Sequence, residues 1–421
     1  MILSHAPGRP IPEAELKEKL REALAGIGKR KERWLAIVPD DTRTLPMPAI
    51  FEVLVEELAP KVKELSFLVA LGTHPPMTED QLRSHFGPAY AELPGNVRVF
   101  QHAWDDPVAL ALIGRISREE MEEISRGLLR VEVEVEINRL VLGYDRILIV
   151  NPVFPHEVIG FSGGHKYFFP GVSGPRMVHV SHWLGALITN PKINGHKWTP
   201  VREMVERAAS LIPTPRLGLS LVLEGHDLVG MFLGEVVEAW EAAADLSAQV
   251  NIVWVERPYD LVISVAPGMY RELWTAGKCM YKLEPVVADG GTLIIYAPHI
   301  REISPTHGKW LLEVGYHVRD YFLAQWEKFE RYPWAVLAHS THVKGIGTYR
   351  NGMERPRIEV VLATGIPEEV CRKINLGYRD PKSLDPGEFM EREDEGILVV
   401  PRAGEMLYRL ADGTVPDIDR L

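Results

Sequence analysis

Apolar and polar positions fall in alternating blocks along this chain. Residues 13–30 (EAELKEKLREALAGIGKR) carry apolar side chains at helical spacing, as do residues 49–64, so both are predicted as helices. Short apolar runs lie between and beyond them, each closed by a polar cluster: WLAIVPDDTR (34–43), LSFLVALGTHPPM (65–77), NVRVFQHAWDD (96–106) and RILIVNPVFPHE (146–157). Runs of this kind read as buried strands. TEDQLRSHF (78–86) is predicted as a capped helix, with Thr78 at the N-cap and acidic residues in the first turn. Strands alternating with helices imply an α/β domain built on a mostly parallel sheet. In such sheets ligands bind beyond the carboxyl ends of the strands. The clusters DDTR, GTHPPM, HAWDD and NPVFPHE are therefore expected to converge on one cleft.

A second unit is predicted to begin near Arg257–Pro258. YDLVISVAPG (259–268) and GGTLIIYAP (290–298) read as strands, with RELWTAGKCMYKLEPVV (271–287) as the helix between them. The expected organisation is two α/β domains, each a mostly parallel sheet flanked by helices, with a cofactor cleft between them. Residues 1–256 would carry the cofactor and the catalytic histidines, and residues 257–400 would close the cleft. The tail 401–421 is expected to pack back on the first domain.

Composition narrows the function classes. The chain has 421 residues, 46% hydrophobic and 25% charged, enough for a sizeable core. A net charge of −11 argues against nucleic-acid or acidic-membrane partners. The cysteines Cys279 and Cys371 supply neither a disulfide framework nor a cysteine metal cluster. No basic segment followed by an apolar run opens the sequence. No uncharged apolar stretch approaches the roughly 18 residues of a membrane helix. The expectation is a soluble, cytoplasmic protein.

The densest chemistry lies in HEVIGFSGGHKYFFPGVSG (156–174). GFSGGHK is not a phosphate-binding Walker loop, because His165 takes the place of a glycine and Tyr167 follows the lysine. Lys166 could hold a phosphate, form a Schiff base or face water. His102 and His156 each follow a predicted strand, and two such bases on different loops could flank one substrate carbon. His182 could ligate a metal or bond to backbone, and His165, His179 and His196 are not ranked against it. In DDTR, Asp40 or Asp41 could form a local turn or cap, with Arg43 paired to a carboxylate. The Gly72 and Thr73 amides are candidate phosphate donors at a helix N-terminus. HVKGIGTYRNG (342–352) is a second basic, glycine-rich loop and a candidate cleft wall.

In order, PDDTR (39–43), GTHPPM (72–77), the His102 loop, NPVFPHEVIGFSGGHKYFFPGVSG (151–174), the Ser181–His182 pair and LWTAGK (273–278) resemble the nickel-dependent lactate racemase family across nearly the whole chain. The resemblance implies a nickel-pincer nucleotide: nickel on a pyridinium-3,5-bisthiocarboxylic acid mononucleotide, bound through sulfur, carbon and sulfur. It implies that Lys166 joins one arm as a thioamide and that His182 completes the nickel coordination. His102 and His156 would be the alternating acid/base pair and Lys278 a lysine beside the substrate. Asp41, Thr42, Gly72, Thr73, Gly163 and Gly164 would line the cofactor, the glycines letting the backbone approach it closely. The implied reaction removes hydride from C2 of a 2-hydroxy acid and returns it to the opposite face.

Two positions depart from the family pattern. Pro75 stands where lactate racemases have a substrate-binding arginine, and Thr275 stands where they have glutamine. Losing a bidentate carboxylate clamp and reshaping the pocket around Trp274 and Thr275 point away from lactate. A larger 2-hydroxy acid or a sugar acid is expected instead, with cofactor-building proteins as partners. Two other readings keep the same residues. One is a zinc hydrolase using His156, His182 and a carboxylate such as Asp41. The other is a carrier that binds the nucleotide without turnover, which would have no need of paired histidines.

Overall fold

The structure, a computed structural model, describes residues 2–5 and 7–418. Contacts divide the chain into two compact units that interleave in sequence. The first comprises residues 1–154, 161–178 and 202–250, and the second residues 155–160, 179–201 and 251–421.

The first unit is built on a seven-stranded sheet. Its strands are β1 (Ile2–His5), β2 (Arg33–Pro39), β3 (Glu64–Ala70), β4 (Val97–Gln101), β5 (Arg146–Pro152), β6 (Arg216–Glu224) and β7 (Asp227–Gly234). Their spatial order is β1-β7-β6-β5-β2-β3-β4. Strands β6, β5, β2, β3 and β4 run parallel, whereas β7 returns antiparallel between β6 and β1. Leu35 to Val38 and Leu65 to Val69 are all buried, which is why these strands read as continuous runs rather than alternating ones. Helices α1 (Glu13–Leu24), α2 (Met47–Leu58) and α3 (Glu79–Phe86) contribute to the same core. Phe51 of α2 meets the rings of Phe67 and Phe86, each at 4.6 Å between centroids. Thr78 caps α3 as expected: its hydroxyl accepts from the Gln81 amide, and the Gln81 side chain accepts from the Thr78 amide.

The second unit has a five-stranded, wholly parallel sheet. With β8 (Ile252–Val255), β9 (Tyr259–Val265), β10 (Val287–Ala297), β11 (Glu359–Thr364), β12 (Gly377–Tyr378), β13 (Ile397–Val400) and β14 (Leu407–Leu410), its order is β12-β11-β10-β9-β13. Strand β14 pairs in parallel with β8 outside that sheet. Strand β14 of the tail and β8 both group with the second unit. The division by contacts also differs from the expected boundary after residue 256, because 155–160 and 179–201 group with the C-terminal residues.

Local expectations fail in three places. The helix predicted over 271–287 is split into Leu273–Ala276 and α4 (Lys278–Tyr281), and Pro285 then stands in a 3₁₀ turn. Gly277 lies at the break, where a Cβ would come within 2.8 Å of Val343 and 3.0 Å of His339. The helix predicted over 13–30 stops at Leu24, ahead of Gly26 and Gly28. The 342–352 segment is not one loop. It is the end of helix α5 (Trp334–Lys344) followed by the start of a hairpin, with the Lys344 ammonium bonded to the Asn375 carbonyl at 2.6 Å.

Candidate functional site

Because β5, β2, β3 and β4 are adjacent and parallel, their carboxyl ends share one edge of the first sheet. DDTR, GTHPPM and the His102 loop leave from that edge. Asp40 is buried there. Its Oδ1 accepts from the Thr42 amide at 3.3 Å and the Thr42 hydroxyl at 2.7 Å, an Asx turn. Its Oδ2 lies 2.5 Å from Nδ1 of His74. Burial alone would raise the Asp40 pKa, but His74, Arg43 and Thr42 outweigh it and hold the carboxyl well below the usual carboxylate range. An ionised Asp40 accepts, so Nδ1 of His74 carries its proton and Nε2 presents a lone pair. The His74 side chain is 25% exposed. Asp41 accepts instead from the Gln81 side-chain amide at 3.1 Å.

His102 sits differently. It is 2% exposed, and both ring nitrogens are engaged inside the unit: Nε2 with the Ser173 carbonyl at 3.1 Å, Nδ1 with the Asn138 side-chain amide at 3.1 Å. Burial pushes its pKa down to about 4, against a smaller upward pull from the Ser173 bond and Asp105. The sequence places His74 and His102 alike, each after a strand. What tells them apart is burial and the carboxylate beside His74. The sequence signal for His74, within GTHPPM, is Asp40 at the matching end of the neighbouring strand.

Gly72 and Thr73 differ from expectation. Helix α3 begins only at Glu79, beyond a proline pair, and the Gly72 amide donates to the Gly171 carbonyl at 3.0 Å. What Gly72 does provide is space, since a Cβ built on it meets no atom within 4 Å. Pro75 is exposed.

The loop carrying Lys166 is pinned by the first unit's own side chains. Gly163 and Gly164 have φ of 84° and 60°. A Cβ on Gly163 would lie 2.3 Å from Asn151 Oδ1, and one on Gly164 would lie 3.1 Å from the Trp240 ring. On their Cβ side these glycines are thus demanded by protein packing. Gly163→Ala should therefore prevent normal folding or shift melting down by several degrees, read by calorimetry. Lys166 lies in the short turn Gly164–Tyr167 and is half-buried.

The other candidates belong to the second unit. His156 accepts at Nδ1 from the Val158 amide, 3.1 Å away, so the proton of its neutral ring is on Nε2. The Glu157 carboxylate lies 3.3 Å from the same nitrogen, placed to stabilise the ring when it is charged. The buried Lys282 ammonium donates to the carbonyl of Pro155, fixing the residue before His156. Nδ1 of His182 lies 3.3 Å from the Ser181 hydroxyl. Thr275 spends its hydroxyl on Glu272 at 3.0 Å, and the Lys278 ammonium sits 4.9 Å from the Tyr270 ring centre. Trp274 lies against two further imidazoles: it stacks on His339 at 4.0 Å and meets His307 at 4.3 Å. His339 is held well below its ordinary pKa by burial and by His342, His307 and His182; burial brings His342 to about 4, with Glu157 pulling the other way. Sequence reasoning passed over His307 and His339. The available signal was two histidines three apart, His339 and His342, following the apolar run Trp334–Ala338.

Among the described residues, no three His, Cys, Asp or Glu side chains gather to hold a metal ion. No helix among the described residues is long and apolar enough to cross a membrane.

An open, mostly parallel sheet with a carboxylate-oriented histidine and a glycine-rich lysine loop at hand defines an α/β scaffold. Residues 6–194 match the lactate racemase N-terminal domain. The chain is 25% identical to the lactate racemase of Thermoanaerobacterium thermosaccharolyticum over 291 residues, 68% of this chain and 63% of that protein. It is 26% identical to the lactate racemase of Lactiplantibacillus plantarum over 287 residues, 66% and 62% of the two. The matches thus span somewhat less than two thirds of those curated relatives. A crystal structure of a Thermotoga maritima protein superposes with a TM-score of 0.88 at 33% identity, covering 96% of this chain and 99% of that one. The lactate racemase apoprotein from T. thermosaccharolyticum shares the fold, with a TM-score of 0.71 at 19% identity over 95% and 93% of the chains. Residues 6–194 thus carry a lactate racemase N-terminal domain.

Proposed function

We propose that this chain is a racemase or epimerase of 2-hydroxy acids that works with a lysine-tethered nickel-pincer nucleotide. The observation that carries the reading is the Lys166 loop, a rigid glycine turn holding a half-buried lysine within that N-terminal domain. Lys166 would join one arm of the nucleotide as a thioamide, its nitrogen replacing an oxygen on the thiocarboxyl carbon with loss of water. His182 would complete the nickel coordination, and binding through Nε2 would leave its Ser181 contact in place. The open space beside Gly72 and the Asp41–Thr42 turn would border the nucleotide. When bound, such a cofactor supplies an electrophilic carbon that takes a hydride from C2 and later returns it.

The chain's own work is to move the hydroxyl proton and hold the acid. The C2 hydrogen of a 2-hydroxy acid is not acidic enough to leave as a proton, so the hydroxyl proton and the C2 hydride must leave to give a planar 2-keto acid. Each enantiomer presents its hydroxyl differently, so two proton carriers are needed. His156 and His74 suit those roles. His74 presents an Nε2 lone pair that would accept the proton, His156 would donate from Nε2 as the charged ring, and each has a carboxylate beside Nδ1 to stabilise that charged form. His102, with both nitrogens engaged, is better suited to support the loop. Lys278 supplies a cation for the substrate carboxylate, and Trp274 and Thr275 shape its pocket. With no arginine at Pro75, we infer a 2-hydroxy acid or sugar acid other than lactate.

The test is to produce the chain beside cofactor-building proteins, then measure intact mass, map Lys166 and count nickel. A nucleotide-sized adduct on Lys166 with about one nickel per chain is expected, lost completely in Lys166→Ala. A panel of chiral 2-hydroxy acids then identifies the substrate. An unmodified Lys166 in a preparation where a known relative loads normally would overturn the reading.

A further inference from the structure

We propose that His165 is a positioning residue, clamped between Glu206 and Arg216 so that the turn beside it presents Lys166 for covalent loading; this rests on the reading of Lys166 as the attachment point. His165 Nδ1 lies 2.5 Å from Glu206 Oε2, and its Nε2 accepts from Arg216 Nε at 2.9 Å. An arginine can only donate, so Nε2 carries no proton and the ring N–H points at Glu206. Both partners come from outside the turn, Glu206 from the helix Pro200–Ala209 and Arg216 from β6. Arg216 is itself fixed by the carbonyls of Ile212 at 2.8 Å and Ala209 at 3.0 Å. The His165 ring lies flat against Phe168, 5.7 Å between centroids and 11° from parallel.

A second set of bonds holds the other side of the turn. Arg202, wholly buried over the Trp240 ring at 4.0 Å, donates to the carbonyls of Phe161 at 2.7 Å and Gly163 at 3.1 Å. Trp240 Nε1 donates to the Ser162 carbonyl at 2.8 Å. Every residue from Phe161 to His165 is therefore tied from outside, Gly164 through its amide on Asn151. Apolar side chains could fill this core without the cost of burying two guanidiniums and a carboxylate. What the ionic clamp adds is direction, and Lys166 is the next residue along the chain. An amine that must meet one carbon of a bulky nucleotide gains from arriving pre-aimed.

His165→Asn keeps an amide N–H where Nδ1–H stood, whereas His165→Phe fills the same space with neither donor nor acceptor. Co-produced with cofactor-building proteins, H165N should load Lys166 within about twofold of the parent and H165F at least about tenfold less. A second readout needs no cofactor: acetylation of Lys166 by acetic anhydride in the apoprotein, relative to exposed Lys29. That ratio should shift at least about threefold in H165F and stay near parental in H165N. A merely structural role would lower melting in both variants without moving the ratio. An H165F protein with parental melting, loading and acetylation overturns the proposal. If the parent itself takes no cofactor, the attachment reading fails and acetylation alone judges His165. If H165F does not fold, Glu206→Gln, which weakens only the carboxylate side of the clamp, faces the same measurements: a parental acetylation ratio there overturns the proposal, and a shifted ratio supports it.

Discussion

His74→Asn should slow racemisation by about 10² to 10⁴-fold, the range that a positioned acid or base contributes, while Lys166 stays modified and nickel stays bound. Asparagine removes the titrating ring but not the local fold, because the Asp40 carboxylate keeps its bonds to the Thr42 amide and hydroxyl. His156→Asn should cost a similar factor. His102→Asn should behave otherwise. It leaves the Asn138 amide and the Ser173 carbonyl without the ring that joins them, so its main effect should be a stability loss of about 1–3 kcal/mol. Initial rates from each enantiomer, measured on loaded protein of known nickel content, separate the cases. If H102N abolished turnover at full loading and H74N left it untouched, the roles would be reversed.

Acid should weaken the fold well above the pH at which carboxylates titrate. His102 and His342 are buried and neutral, each with a folded pKa of about 4. Unfolded, a histidine titrates near 6.5, so between about 6.5 and 4 the unfolded chain binds protons that the folded one does not. Stability is then full above pH 6.5 and falls as the pH drops towards 4. By pH 5 each histidine should have removed about 2 kcal/mol, with His339, depressed further still, adding to the loss in the second unit. Urea midpoints at pH 7.5, 6 and 5 read this directly. His342→Gln should flatten the fall in the second unit, and His102→Gln in the first. A midpoint constant from pH 7.5 to 5 would rule out buried neutral histidines at these positions.

Much of the first sheet was legible because parallel strands buried on both faces leave unbroken apolar runs, and β2, β3 and β5 announce themselves that way, whereas β4, at the sheet edge, buries only Val97. Their closing polar clusters also marked the right edge. What the pattern could not show was which polar residue each strand end keeps for itself. Asp40 reads as a turn residue and is one, yet its second oxygen also orients His74. Burial separates His102 from His74, and burial at a loop is decided by residues far away, here Asn138 and Ser173. Spacing also does not reveal Asn151 and Trp240 packed behind Gly163 and Gly164. The break at Gly277 was hidden because its helical pattern resumes immediately at Lys278.

The interleaving of the two units sets an order of events at the ribosome. The first unit is complete once residue 250 has been made, but 155–160 and 179–201 by then hang from it without their partners. Those strips carry His156 and His182, and also Trp183, which in the finished protein stacks on Trp326 at 5.2 Å. Until the last third of the chain emerges, that tryptophan is uncovered and neither histidine has its final surroundings. A nascent chain stalled after residue 250 would therefore be a sticky half-protein that needs a chaperone.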